Sequence, residues 1–236
     1  MSKKLRVAIV IPAYNEAAVI KTVIDDVRSV FRTSPYDYRI IVIDDGSRDD
    51  TARTAKASRA TVIQHILNTG SGGATATGLS YAEQNGFDIA VTMDADGQHH
   101  AQDVLKGVKL IAKQGGDLLI GSRLLDTTGM SVLKVIGNKG LSFVTFLLFG
   151  INVTDSQSGL RIFTKRALAE LKWKTSGYEF ASEMLWRAKQ QGLNIKEYPI
   201  QTIYTEYSKS KGQNNWNAFN IIKSLLRRRM MELFGE

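Results

Sequence analysis

The chain has 236 residues, three prolines and no cysteine, and 43% of its residues are hydrophobic. This length and apolar fraction suit one large domain with a sizeable core, and they exclude a disordered or fibrous chain. Without cysteine, structural disulfides, cysteine-ligated zinc and thiol nucleophiles are excluded, and a reducing cytoplasmic location fits.

The net charge is +8, from 31 basic and 23 acidic residues. Such an excess favours a polyanionic partner, which could be nucleic acid, a phosphorylated small molecule or an anionic membrane surface. No nucleic-acid-binding motif is recognisable, and no predicted sheet face interleaves aromatic and basic residues. We therefore expect no nucleic-acid partner.

The first half of the chain alternates short β-branched segments with segments of helical spacing. Strands are predicted at residues 5–11, 38–44, 60–66, 88–93 and 117–120, and helices at 15–32, 49–58, 71–86 and 101–114. This alternation is typical of an α/β fold with a mostly parallel central sheet flanked by helices. In such sheets, ligands bind beyond the carboxyl ends of the strands.

The first two of these strand ends carry residues suited to a nucleoside. Pro12, Tyr14 and Glu16 follow the first strand and could stack on a base and bind ribose hydroxyls. Asp44 and Asp45 end the second strand, where a carboxylate could accept hydrogen bonds from the base. Each motif alone also fits an ordinary turn or helix cap.

The third and fourth strand ends offer sites for phosphate and metal. A glycine-rich turn at residues 68–73, which includes Gly72, precedes a predicted helix and could bind an anion through main-chain N–H groups. Asp94 and Asp96 stand two residues apart, so both could hold Mg²⁺ or Mn²⁺ against a diphosphate, with Gln98 as a further ligand. An isolated Asp-x-Asp is weak evidence, because turns favour aspartate.

The second half is less regular. Strands are predicted at residues 160–164 and 193–204 and a helix at 179–191, whereas residues 141–149 are strongly apolar. No run reaches about 18 consecutive apolar residues, so we expect no membrane-spanning helix. Residues 141–149 could form a core helix or lie in a membrane interface, with Lys134, Asn138 and Lys139 near a lipid phosphate.

Taken together and in this order, the motifs resemble those of family 2 glycosyltransferases of GT-A fold. Residues 121–123, 155–161 and 178–183 extend the likeness to the dolichyl- and polyprenyl-phosphate sugar synthase branch, over about residues 5–212. The resemblance implies an inverting transfer from UDP-GlcNAc, UDP-glucose or GDP-mannose to polyprenyl phosphate. It places the enzyme at the cytoplasmic membrane face, peripherally bound.

The resemblance also implies site residues. For the nucleotide it implies Pro12, Tyr14, Glu16, Asp44 on the base and Asp45 as support for the loop. For the metal and the diphosphate it implies Asp94, Asp96 and Gln98. For the acceptor phosphate it implies Arg123 and basic residues beyond it, for which Lys134 and Lys211 are the candidates.

The acceptor decides whether a catalytic base is needed. A lipid monophosphate has a second pKa of about 6 and is largely dianionic at neutral pH, so it can attack without a base. If the acceptor were a glycan hydroxyl, Glu179 would be the candidate base. An ion pair with a nearby arginine or lysine is the favoured explanation, so we expect Glu179 to be structural or to position the acceptor. A nucleotide-sugar-binding module without turnover is a third interpretation.

The end of the chain departs from the mannose-transferring relatives. They commonly carry Arg-x-x-Gly-x-Ser-Lys, where this chain keeps Ser210 and Lys211 but has Thr205 in the arginine position. Residues 213–236 predict a basic amphipathic helix that could bind an anionic membrane, a small membrane-protein subunit or a second copy. We therefore divide the chain into a GT-A catalytic domain at 1–212 and this helix.

Overall fold

The computed structural model describes residues 4–177 and 179–203, together with Tyr207, Lys223, Leu225 and Leu226. The strands are β1 (Arg6–Ala13), β2 (Asp37–Asp44), β3 (Thr61–Gln64), β4 (Ile89–Thr92), β5 (Leu118–Ser122), β6 (Arg161–Thr164) and β7 (Ile195–Pro199). The helices are α1 (Ile20–Phe31), α2 (Thr51–Ala57), α3 (Ser71–Gln84), α4 (Ala101–Gln114), α5 (Val132–Phe149), α6 (Lys165–Glu170) and α7 (Phe180–Gln190).

The strands form one sheet in the order β3-β2-β1-β4-β6-β5-β7. Its pairs are parallel except for those of β6, which runs antiparallel to both β4 and β5. Arg161, the first residue of β6, therefore pairs with Thr92 and Ile120 near the ends of those strands. The segment before β6 thus arrives at the ligand-binding edge. The predicted mostly parallel α/β fold is confirmed.

Both faces of the sheet are buried. On β1, Val7 and Ile9 face a core shared with α1 and α4, whereas Ala8 and Val10 face a core shared with α3, α5, α6 and α7. Burial on both sides explains why the strands read as continuous apolar runs. The site is therefore confined to the sheet edge and its loops.

The start of α1 differs from the prediction. The helix begins at Ile20 rather than at residue 15, because Asn15 adopts a left-handed φ of 55°. The main-chain N–H of Asn15 donates to Ser47 Oγ at 2.9 Å, and that of Glu16 donates to Thr51 Oγ1 at 2.8 Å. The β1–α1 loop is thereby fixed to the β2–α2 loop.

The helix α5 is longer than the apolar run at residues 141–149. It begins at Val132, after the side chain of Ser131 accepts a hydrogen bond from the Lys134 N–H, and it ends at Gly150 with φ 64°. With 18 residues it is long and apolar enough to cross a membrane by length and composition alone. The helix exceeds the apolar run because lysine and glycine interrupt that run without ending the helix. That it does not span a membrane stays a prediction.

The remaining boundaries differ less. The strand predicted at residues 193–204 ends at Pro199, and Thr202 forms an isolated bridge with His99 beyond it. The short helix α6 was not predicted. Lys211 and most of the predicted C-terminal helix lie outside the described residues; within it, Leu225 is buried in the α5 side of the core and Leu226 is 47% exposed.

Candidate active site

Asp45 holds the turn between β3 and α3. Its Oδ1 accepts hydrogen bonds from His65 Nδ1 and from the N–H and hydroxyl of Thr69, and its Oδ2 accepts the Gly70 N–H, over distances of 2.7 to 2.9 Å. Burial opposes ionisation, but the hydrogen bonds from Thr69, His65 and Gly70 outweigh it and lower the pKa of Asp45. Its contacts are those of a loop support.

Replacing Asp45 with alanine should destabilise the fold by about 2 kcal/mol, because the hydrogen bonds that Thr69 and Gly70 donate to this nearly buried carboxylate are lost. The stabilisation that ionised Asp45 gives the wild-type fold should be complete above the unfolded-state pKa of about 3.9. It should be lost as the pH falls through the lower pKa that Asp45 has in the folded state. Urea unfolding between pH 3 and pH 7 measures both effects. Asp45→Asn should show a flatter acid dependence, and an unchanged slope would contradict this role.

Asp44 has one unsatisfied oxygen. The residue is 2% exposed, and its Oδ2 accepts a hydrogen bond from Gln64 Nε2 at 3.3 Å. Its Oδ1 is buried without a partner in the described part of the chain. A buried carboxylate oxygen without a donor is costly, so this atom suits a ligand that brings an N–H group, as a nucleobase does.

The β1–α1 loop lies beside this position. Pro12 belongs to β1, and the Tyr14 side chain after it is 41% exposed. The charge of Glu16 contributes to raising the pKa of Asp96, so these two acidic side chains share one electrostatic environment. Tyr207, which the sequence did not single out, donates its hydroxyl to Glu16 Oε2 at 2.7 Å.

Gly72 has a different role from the predicted one. Its N–H donates to the Ser176 carbonyl at 2.8 Å, and a Cβ at this position would stand 2.7 Å from the Phe180 Cβ. Gly72 therefore allows the segment before α7 to approach the start of α3. We do not carry it into the nucleotide site, because its N–H already has an acceptor.

Asp94 and Asp96 form an acidic pair at the end of β4. Burial, the charge of Asp94 and that of Glu16 raise the pKa of Asp96 to about 6. The Asp94 side chain is 57% exposed. Its pKa is nevertheless lowered, because the hydrogen bond and charge of His99 and the charges of Arg123 and Arg161 outweigh desolvation. A partly open carboxylate pair of this kind suits a divalent cation.

His99 is a site residue outside the sequence motifs. Its ring is nearly buried, and Nε2 lies 3.1 Å from Asp94 Oδ2. The bridge to Thr202 and the hydrogen bond from the Ile203 N–H to the Gln98 carbonyl, at 2.9 Å, fix this loop. The place of His99 directly after Gln98 was the available signal.

Arg123 and Asp155 form a bidentate ion pair on the other side of the site. Arg123 Nε and Nη2 donate to the two Asp155 oxygens at 2.7 and 2.8 Å, and the Arg123 N–H adds a third hydrogen bond. Asp155 is fully buried; burial opposes its ionisation, but Arg123 prevails and lowers the pKa. The pair fixes a guanidinium whose charge reaches Asp94.

Arg161 supports the segment at residues 155–159, which we call the acceptor segment. It is 1% exposed and donates to the carbonyls of Ser156, Ser158 and Ala181 at 2.7 to 3.0 Å. Burial lowers its pKa to about 10, so it stays charged at neutral pH. Such bracing keeps the acceptor segment in one conformation beside Asp94.

A model of glycosyl transferase family 2 matches residues 8–172, well over half of the chain. The chain belongs to glycosyl transferase family 2. It is 42% identical to the UDP-N-acetylglucosamine–dolichyl-phosphate N-acetylglucosaminyltransferase of Methanococcus voltae, over 98% of both chains. These matches confirm the predicted family and the dolichyl- and polyprenyl-phosphate branch.

Two further comparisons agree. The Undecaprenyl-phosphate mannosyltransferase of Micrococcus luteus is 31% identical over 88% of this glycosyltransferase and 87% of its own length. The glucosyl-3-phosphoglycerate synthase of Mycobacterium tuberculosis, solved with Mn²⁺, UDP and glucosyl-3-phosphoglycerate, superimposes with a TM-score of 0.73 at 22% identity. It covers 97% of this chain and 79% of its own, which establishes the shared fold.

The other predicted residues of this glycosyltransferase lie around α5 and α7. Lys134 is exposed in the first turn of α5. Glu179 precedes α7 and folds back so that its Oε2 would lie 2.6 Å from a Cβ on Gly177. Glu183, by contrast, is buried and accepts the N–H groups of Lys174 and Thr175 at 3.2 and 2.9 Å. The roles of Lys134 and Glu179 stay predictions.

The residues fit a divalent metal that is shared with a substrate. No group of three or more histidine, aspartate or glutamate side chains within the described ranges could hold an ion by itself. Asp94 and Asp96, with the Gln98 amide, offer two carboxylates and a neutral oxygen, and a diphosphate and water would complete the ligand shell. This donor set suits Mg²⁺ or Mn²⁺ rather than a softer metal.

Proposed function

We propose that this glycosyltransferase transfers N-acetylglucosamine from UDP-N-acetylglucosamine to a polyprenyl phosphate at the cytoplasmic membrane surface. The observation that carries the proposal is an acidic pair, Asp94 and Asp96, of which Asp94 lies within the electrostatic reach of the fixed guanidinium of Arg123. The acidic pair suits a metal-bound diphosphate, and the guanidinium of Arg123 suits a second phosphate. The relative from Methanococcus voltae supports the choice of both substrates.

The donor is proposed to bind along the ends of β1, β2 and β4. The unsatisfied Asp44 Oδ1 would accept an N–H of the base, and the exposed ring of Tyr14 would pack against the nucleoside. Asp94 and Asp96 would hold the metal, which neutralises charge on the leaving diphosphate when it is bound. His99 orients Asp94 and helps to keep it ionised.

The acceptor phosphate is proposed to bind on the Arg123 side. Its dianion can attack the anomeric carbon directly, so the protein has to align two anionic groups rather than remove a proton. The Asp155 carboxylate holds the guanidinium in place, and the charge of Arg161 behind it adds to the positive potential. This arrangement makes Glu179 dispensable as a base.

The membrane is proposed to bind the outer face of α5. Six large apolar side chains of this helix are 46 to 75% exposed: Val132, Leu133, Ile136, Phe143, Phe146 and Leu147. We call these six the apolar face. A face of this kind on a helix that begins beside Lys134 suits the boundary between lipid headgroups and acyl chains. It would bring the acceptor phosphate to the edge of the sheet.

Thermal unfolding with nucleotides tests the donor half. UDP with Mn²⁺ should stabilise the protein by about 2.7 kcal/mol at 100 times its dissociation constant, whereas GDP, CDP and ADP should give smaller shifts. Asp96→Ala should abolish the metal-dependent part, because it removes one of two carboxylate ligands. A larger response to GDP would overturn the choice of UDP. Transfer of labelled N-acetylglucosamine to undecaprenyl phosphate in vesicles then tests the acceptor.

A further inference from the structure

The buried side of α5 carries two hydroxyl groups beside two apolar side chains, although its outer face is apolar. The buried residues of the helix are Leu141, Ser142, Thr145 and Phe149, so two of the four carry hydroxyl groups. Ser142 Oγ accepts the Ser156 N–H at 3.0 Å and lies 3.3 Å from Ser156 Oγ. A helix of a water-soluble domain has the reverse polarity, with its apolar stripe toward the core.

The hydroxyl groups continue as a network into α7. Thr145 Oγ1 donates to the Leu141 carbonyl at 2.9 Å within α5, and it lies 3.1 Å from Ser182 Oγ and 3.4 Å from Ser156 Oγ. Gln157 Nε2 donates to Ser182 Oγ at 3.0 Å. Thr145, Ser156 and Ser182 are completely buried. A buried polar group that loses its hydrogen-bond partner is costly. The hydrogen-bonded network therefore favours one relative position of α5, the acceptor segment and α7.

The acceptor segment joins this network to the reactive groups. Ser156 and Gln157 follow Asp155, which holds Arg123, and Gly159 at the other end of the segment packs against the Asp94 carboxylate. A shift of α5 would therefore displace the acceptor segment. The displaced segment would move Asp155 on the acceptor side of the site and Gly159 on the metal-binding side.

We propose that Ser142 and Thr145 are positioning residues that couple the seating of α5 on a lipid surface to the geometry of the acceptor segment. The inference rests on the proposed function, in which α5 binds the membrane and Arg123 binds the acceptor phosphate. The apolar face and the hydroxyl network belong to the same helix, so contact with lipid on one side constrains hydrogen bonding on the other. The enzyme would then be most active when it is docked.

The matched variants are Thr145→Val, which removes the hydroxyl with little change of shape, and Thr145→Ser, which keeps it. With undecaprenyl phosphate in vesicles, Thr145→Val and Ser142→Ala should lower kcat/KM for the acceptor about tenfold or more, and Thr145→Ser should stay close to wild type. The affinity for UDP measured without a metal should not change. Thr75→Val, which removes a buried hydroxyl bonded within α3 to the Ser71 carbonyl, should have no effect on the acceptor parameters.

The outcomes separate the inference from the proposed function. If wild type transfers the sugar and both hydroxyl-deleting variants keep its kcat/KM, the inference is overturned and the proposed function stands. If wild type does not transfer to a polyprenyl phosphate, the proposed function fails. Hydrogen exchange then tests the coupling alone: slower exchange of the Ser156 amide when anionic vesicles are added supports it, and unchanged exchange overturns it.

Discussion

Replacing Gly159 with alanine is expected to lower kcat/KM by about a hundredfold or more while the protein stays folded. A Cβ at this position would overlap both carboxylate oxygens of Asp94 and stand 2.6 Å from its Cγ. The main chain of Gly159 cannot easily retreat, because its carbonyl accepts the Thr92 hydroxyl at 2.9 Å. The Asp94 side chain is more than half exposed, so it would swing away from its metal-binding position and leave the core intact.

The measurements for Gly159→Ala are steady-state transfer and the Mn²⁺-dependent stabilisation by UDP, both of which should be lost. Gly140→Ala is the matched control, because nothing lies within 4 Å of a Cβ there and the residue is inside α5. That variant should keep wild-type activity and gain up to about 1 kcal/mol of stability. Retention of metal-dependent UDP binding in Gly159→Ala would show that Asp94 is not a ligand.

The order of the elements in the first half was predictable because its signals are local. Each strand is a short β-branched run, with proline, glycine or aspartate at or near the end of all but β3. The predicted helix at residues 101–114 has the observed bounds. The direction of β6 was not predictable. Between β5 and β6 the chain passes through α5. The direction and position of β6 in the sheet depend on the contacts of this long connection rather than on the sequence of β6.

In the candidate site, too, the groups that are close in sequence were predictable and the contacts between distant segments were not. The acidic pair and the turn at Asp44 and Asp45 were found because several chemical groups recur at strand ends within a few residues. The pairing of Arg123 with Asp155 joins residues that are far apart in sequence, and Arg161 joins the acceptor segment to Ala181 in the first turn of α7. The motif that contains Asp155 was noticed, but its contacts depend on the antiparallel strand, which the alternating pattern gave no reason to expect.

The apolar run at residues 141–149 was interpreted correctly as a helix whose environment was open. Its sequence alone does not distinguish a core helix from an interfacial one, because both need apolar side chains. The structure separates the two sides of the helix: Phe143 and Leu147 are 59 and 63% exposed, whereas Ser142 and Thr145 are buried. Ser142 and Thr145 face the acceptor segment and lie within hydrogen-bonding distance of Ser156.

Replacing Phe143 and Leu147 together with glutamate is expected to weaken binding to anionic vesicles at least about a hundredfold. Inserting each wild-type side chain into lipid contributes about 1.5 kcal/mol or more, and two carboxylates would in addition be repelled by anionic headgroups. Folding and UDP binding should be unaffected, because both side chains already face solvent in the isolated protein. Flotation with vesicles at low and high salt measures the binding, and circular dichroism measures the fold.

Lys109→Glu is the control for charge, because it changes the net charge as much as the double variant does. Lys109 is exposed on α4, which packs on the opposite face of the sheet from α5. We expect Lys109→Glu to bind vesicles more weakly at low salt and nearly as wild type at high salt, because its effect is screened. The loss in the double variant should persist at high salt, because apolar burial is not screened. Equal losses in both variants would mean that net charge, rather than the apolar face, holds the enzyme at the membrane.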